Sequence, residues 1–240
     1  MSDILNQDKK QDQHQKNSRD GVAPNTQTGN KRNYQKELDR LIEGIPAGSV
    51  PTLMLHSCCA PCSSYCLEYL CKFFSITVFY YNPNISSSEE YKRRVAEQKR
   101  LIEAYNSEGR GHRISIIEGD YHPEKFFEIS KGLEYCKEGG ERCFKCFDMR
   151  LKATAMEADK GGFDYFATTL TISPLKNADK INEIGFSIAE HSNAKWLPSD
   201  FKKKDGYKRS VELSKEYDLY RQDYCGCAFS KRDRLENECP

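Results

Sequence analysis

Residues 50–62 read Val50-Pro51-Thr52-Leu53-Met54-Leu55-His56-Ser57-Cys58-Cys59-Ala60-Pro61-Cys62. The first half is a short apolar run and the second a loop of small and sulfur-bearing residues, with the helical spacing of Leu67 and Leu70 directly behind it. The segment therefore reads as strand, tight loop, helix. Outward from it the alternation repeats. Phe73–Tyr81 is β-branched and aromatic and stops at Asn82-Pro83-Asn84. A charged helix follows, with Tyr91, Val95, Leu101 and Ile102 as its apolar stripe. His112–Ile117 gives a third strand and Pro123–Ile129 a short helix; helix 141–160 leads to strand Asp164–Thr168 and helix 178–191. Trp196-Leu197 is a last short strand, with helices near 206–217 and 228–236. Upstream, Leu38, Leu41, Ile42 and Ile45 have helical spacing that Pro46-Ala47-Gly48 ends.

Repeated strand–helix alternation predicts an α/β fold: a doubly wound, mostly parallel sheet with extra C-terminal helices, whose ligands sit beyond the carboxyl ends of the strands. Both the cysteine loop 57–62 and Thr169–Pro174 fall at such ends. Residues 1–32 are rich in Gln, Asn, Asp and Lys and poor in large apolar side chains, which reads as a disordered polar tail. Residues 33–240 read as a single α/β domain.

The chain has 240 residues, 37 Lys and Arg against 36 Asp and Glu, and a net charge of +1. This balance excludes a uniformly basic nucleic-acid binder and leaves a locally basic face open. No stretch approaches the ~18 consecutive apolar residues of a membrane span, and Met1–Asp8 has no apolar signal-peptide core. The expectation is a cytoplasmic protein without a membrane partner. An odd count of 11 cysteines in such a chain argues against a disulfide framework and toward metal ligation, redox chemistry or buried thiols.

Sorting the cysteines by position separates three groups. Cys58 and Cys59 lie where strand gives way to helix, and Cys62 sits on the first helical turn. A helix N-terminus favours the thiolate that binds iron or zinc, although Cys62 also suits a small buried apolar role. Cys143-Phe144-Lys145-Cys146 opens another helix, so its two sulfurs share one face and suit two bonds to one metal. Four thiolates from the two groups serve zinc or an iron–sulfur cluster equally, and spacing does not choose. Cys225-Gly226-Cys227 is too closely spaced for easy two-point ligation of a tetrahedral ion. Gly226 permits the turn a strained, readily reduced disulfide requires, with a second metal as the alternative. Cys66, Cys71, Cys136 and Cys239 lack partners at a useful spacing. His56, beside the first loop, suits support of a ligand or a core hydrogen bond. The loop has no glycine, so it is not a phosphate cradle.

Lys195–Arg234 carries 11 Lys and Arg against 7 Asp and Glu, a local net of +4. Its cations are interleaved with Phe201, Tyr207 and Tyr220, a pattern that suits phosphate contacts and base stacking as well as a solvated helix face.

Five motifs together resemble one family. They are Leu55–Ser64, Phe79–Ile85, Arg142–Phe147 with Arg150-Leu151, Thr168–Pro174, and Tyr224-Cys225-Gly226-Cys227. In this order, from about Asn33 to Arg234, they are similar to the cobalamin-independent epoxyqueuosine reductases, the QueH family. The resemblance implies an adenine-nucleotide hydrolase-like sheet and an oxidoreductase acting on tRNA. Its reaction would convert epoxyqueuosine at the wobble position of the anticodon to queuosine, the last step of queuosine biosynthesis. It implies a [4Fe-4S] cluster on Cys58, Cys59, Cys143 and Cys146, and a redox-active disulfide between Cys225 and Cys227. An additional iron, with Cys62 as a contributor, and an external electron donor are also implied. Thr169, Thr171, Ser173, Lys203, Lys204 and Arg209 are the expected contacts to the anticodon loop. A zinc-binding tRNA-interaction module and a cytosolic thiol oxidoreductase are the alternative readings.

Overall fold

In the computed structural model, which describes residues 32–238, five parallel strands form one sheet in the order β3-β2-β1-β4-β5. The strands are β1 (Thr52–His56), β2 (Ser75–Tyr80), β3 (Ser115–Glu118), β4 (Tyr165–Thr168) and β5 (Lys195–Trp196). The helices among the described residues are α1 (Tyr34–Glu43), α2 (Ala60–Leu70), α3 (Ser88–Ser107), α4 (Pro123–Ser130), α5 (Glu141–Gly161), α6 (Ala178–Ala189), α7 (Gly206–Glu216) and α8 (Ala228–Glu238). The doubly wound parallel sheet expected from the alternation is present. The expectation of a disordered tail falls on residues outside those described, Arg32 excepted.

Strand β1 is central, paired with β2 on one edge and β4 on the other, and Leu53 to His56 are fully buried. Both faces of a parallel sheet are covered, which is why this strand is apolar without alternation. Leu53 and Leu55 point with Ile76 and Val78 into one core with Leu67 and Leu70 of α2 and Leu101 and Ile102 of α3. Met54 points the opposite way, into a second core with Phe79, Phe166 and Trp196 under Leu151 of α5 and Ile181 of α6. The chain leaves β1 toward β2 and β3, then crosses to β4 and β5. The carboxyl ends of β1 and β4 therefore flank the point where strand order reverses, the crevice where such sheets bind ligands.

Two local differences from the sequence reading have clear causes. The strand expected over 112–117 begins at Ser115, because the His112 amide is spent on the Cys71 carbonyl at 2.7 Å. Residues Thr169–Ile172, read as loop, form one 3-10 turn in which the Thr168 hydroxyl accepts from the Leu170 amide.

Candidate metal and thiol centre

Cys58 ends the strand side of the crevice, Cys59 is the N-cap of α2 with an extended backbone, and Cys62 lies on the helix's first turn. Pro61 at the start of α2 has no N–H to leave unpaired there. The three sulfurs lie within 4.8 Å of one another, with Cys58 and Cys59 3.8 Å apart. A tetrahedral ion with metal–sulfur bonds of ~2.3 Å needs sulfur–sulfur edges of ~3.8 Å, so the donor set fits a soft metal.

The loop beneath is held rigidly. Asn82 Nδ2 donates to the Ser57 carbonyl (2.8 Å), and the Ser57 hydroxyl donates to Gln98 Oε1 (2.7 Å). His56 is fully buried; burial and the positive Arg150 drive its pKa down to about 3, so it is neutral. Its Nε2–H donates to the Tyr81 carbonyl at 3.1 Å, which leaves Nδ1 to accept from the Thr168 hydroxyl at 2.9 Å. His56 therefore ties the ends of β1, β2 and β4 together beneath the thiols. Within the triple, S–H donation from Cys59 and Cys62, aided by Lys176 and Arg150, holds Cys58 well below the usual thiol range. Burial, then the neighbouring Cys58, pushes Cys59 up to about 12. Negative charge is thus favoured on Cys58 and disfavoured on Cys59 and Cys62.

Cys143 and Cys146 open α5, where the Gly139 amide donates to Cys143 Sγ at 3.2 Å. Together with Cys225 and Cys227 they line a narrow cavity of about 20 Å³ beside Phe126 and Phe147. Cys227 is 6% exposed, and burial followed by the neighbouring Cys225 raises it to about 12. Cys225 is half-buried and also lines a larger open cavity of about 310 Å³. That cavity reaches Cys58 and Cys62 and is walled by Ser173, Tyr207, Arg221 and Tyr224. Arg150 and Lys176 line both cavities. Burial works against the Lys176 ammonium, but the surrounding sulfurs, the Cys58 thiolate among them, outweigh it and raise its pKa.

The structure thus groups Cys58 and Cys59 with Cys62, and places Cys143 and Cys146 beside Cys225 and Cys227 in the adjoining cavity. Cys66 and Cys71 are core thiols packed with Leu67 and Leu70, and Cys239 lies outside the described residues. Thr169 Oγ1 is 3.9 Å from Cys58 Sγ, and Ser173 lines the open cavity. Thr171 is buried and shares a hydrogen bond with Ser199 at 3.1 Å. Lys203 is exposed, Lys204 is paired with Asp39 (2.7 Å), and Arg209 is paired with Glu68 (2.7 Å) and Glu216 (3.4 Å). Three of the largest fully buried side chains among the described residues, Arg94, Arg142 and Arg150, have no assigned role in the sequence reading. The signal for two of them was present: Arg142, Cys146 and Arg150 recur every fourth residue, on the inward face of α5.

A family model described as Epoxyqueuosine reductase QueH matches residues 53–233. The chain is 43% identical over 212 residues to the epoxyqueuosine reductase QueH of Streptococcus pyogenes serotype M1, covering 88% of this chain and 83% of the relative. Its identity to the enzyme of that name from Staphylococcus epidermidis is 44% over 203 residues, covering 83% and 85% of the two chains. With that of Thermotoga maritima it is 36% over 191 residues, covering 77% and 93%. The match extends from the central strand into the last helix, a range that includes every cysteine group that meets at the sheet's crevice, and on that evidence the chain belongs to the epoxyqueuosine reductase QueH family.

Proposed function

We propose that this chain is a cytoplasmic oxidoreductase that converts epoxyqueuosine to queuosine at the wobble position of tRNA. The observation that carries the reading is the open cavity in which the Cys58 and Cys62 thiols, Cys225, Arg150 and Lys176 share one wall. Removing an epoxide oxygen to leave a double bond consumes two electrons and two protons and releases water. Oxidising the Cys225 and Cys227 thiols to a disulfide releases two electrons and two protons, so the pair balances one turnover and an external donor restores it. Cys58, Cys59, Cys143 and Cys146 would hold a [4Fe-4S] cluster, with Cys62 contributing to an additional iron. A thiolate-held iron group supplies single-electron transfer and, at an open coordination position, pull on the epoxide oxygen.

The protein's own groups bind and orient. Arg150 and Lys176 set positive charge where an epoxide oxygen gains negative charge on opening. Tyr207 and Tyr224 line the cavity as aromatic neighbours for a base drawn out of the anticodon stack, and Arg221 offers a cation to the phosphates beside it. Among the described residues no helix is long and apolar enough to cross a membrane.

The test is an anaerobic incubation of tRNA bearing epoxyqueuosine with the purified protein and a chemical reductant, followed by nucleoside mass spectrometry. Conversion to a product lighter by one oxygen is expected. No conversion by protein that carries its full iron and sulfide overturns the proposal, and zinc without iron favours a tRNA-binding module instead.

A further inference from the structure

The Cys225–Cys227 segment is fixed by a helix far from it in sequence. Arg94 of α3 is 2% exposed and donates from Nη1 to the Cys225 carbonyl (3.2 Å) and from Nη2 to the Tyr224 carbonyl (3.5 Å). The Ser86 amide, just before that helix, donates to the Gly226 carbonyl at 3.1 Å. Three successive carbonyls are therefore held. The guanidinium is itself aimed by Glu90, which accepts from Arg94 Nε at 2.7 Å and from the Tyr220 hydroxyl at 3.1 Å. Gly226 has φ +110, and a Cβ there would stand 2.9 Å from Ile85 Cγ1 and 3.1 Å from Arg94 Nη1. Segment and clamp are built against one another.

The held form is the dithiol: Cys225 faces the open cavity, while Cys227 packs inward with Phe126 and Cys146 and accepts from the Ser230 amide at 3.3 Å. Joining sulfurs one residue apart requires their Cβ atoms to approach to ~3.8 Å. Arg94 and Ser86 hold the carbonyls of Tyr224, Cys225 and Gly226 in the present arrangement, so any rotation of the Gly226 peptides that brings the sulfurs together works against those bonds. We infer that Arg94, aimed by Glu90, is a positioning residue that favours the dithiol form of Cys225 and Cys227 and so makes their disulfide more oxidising. The inference rests on the proposed redox role of the pair.

The experiment equilibrates the full-length protein anaerobically with mixtures of oxidised and reduced dithiothreitol, then blocks free thiols. In this exchange the protein gives two electrons and two protons to oxidised dithiothreitol as its own disulfide forms. The tryptic peptide 222–231 holds Cys225 and Cys227 as its only cysteines, so its mass reports the oxidised fraction. The double variant Glu90→Gln/Arg94→Met removes the clamp as a neutral pair and leaves no unpaired buried charge. Arg94→Lys keeps the charge without the fork that reaches two carbonyls. Circular dichroism selects the variant that melts as the parent does.

The expected result is a midpoint shifted about tenfold toward the disulfide in the double variant, with Arg94→Lys between it and the parent. A folded variant whose midpoint lies within roughly twofold of the parent, or moves toward the thiols, overturns the inference. A parent that forms the 225–227 disulfide but leaves epoxyqueuosine unreduced overturns the proposed function and leaves the clamp standing. A parent that forms no such disulfide at any mixture overturns the clamp together with the redox role given to the pair, and conversion of epoxyqueuosine by that same protein leaves the reductase assignment standing.

Discussion

Cys58 is the residue on which the centre's charge collects: two neighbouring thiols and two cations stabilise its thiolate, while Cys59 and Cys62 stay protonated. Metal binding displaces those protons, so the affinity of the centre rises with pH. Cys58→Ser is expected to lose most of the iron of anaerobically purified protein, whereas Cys66→Ser, which changes a thiol sunk among Leu67 and Leu70, keeps it. Iron and sulfide per chain measure both. Cys143→Ser decides the ligand set: lost iron supports four ligands drawn from two groups, and full iron leaves the converging triple Cys58, Cys59 and Cys62 as the only holder. At this scale the sequence separated the cysteines into the groups that the fold keeps apart or brings together, because loop position and spacing are local. Their partners depend on packing between residue 58 and residue 225, a distance no periodicity spans. The buried arginines escaped for a related reason: a charge on a helix is assigned to solvent unless something across the fold satisfies it, and the carbonyls that satisfy Arg94 lie about 130 residues away.

The elements are legible where hydrophobic period and burial coincide, as in β1, β2 and α5, and less so where one turn carries the chemistry. The 3-10 turn after β4 holds Thr169 beside Cys58, and its order comes from a relay that begins on α6. Asn182 of α6 accepts from Trp196 Nε1 and the Ser199 amide, both at 3.1 Å, and Ser199 in turn meets Thr171 of the turn. That relay requires α6 to approach β5 closely, which Gly185 allows: a Cβ there would lie 2.3 Å from the Trp196 ring. Gly185→Ala must displace the indole or the helix, an overpacking that costs about 1–3 kcal/mol. A melting midpoint lower by about 2–4 °C per kcal/mol is expected, and an unchanged midpoint shows that Trp196 yields without cost. The sequence offered a glycine in a helix and a lone tryptophan in a short strand; their contact exists only once the sheet is assembled.

Over the whole molecule the net charge of +1 conceals how the cations are spent. In the basic stretch 195–234, Lys204 is held by Asp39 of α1 and Arg209 by Glu68, at the end of α2 remote from the cysteine loop, and also by Glu216. Arg221 instead bonds the Ser214 hydroxyl at 2.9 Å and lines the open cavity with Tyr207 and Tyr224. Local charge density does not say which face each cation occupies, because α7 packs against α2 and the residues before and after it meet different neighbours. The two positions make opposite predictions for tRNA. Arg221→Gln is expected to weaken binding and to flatten the dependence of log affinity on log salt by about 0.7, the value for one contact to a single-stranded phosphate. Lys204→Gln, which frees Asp39 from an exposed pair, is expected to leave both affinity and slope within error, because such pairs contribute only ~0–1 kcal/mol to folding and this one is turned to α1. Binding isotherms across a salt series distinguish the cases. An equal loss for both variants means that tRNA covers the ground both before and after α7, and a loss for Lys204→Gln alone moves the anticodon away from the cavity that joins the thiols.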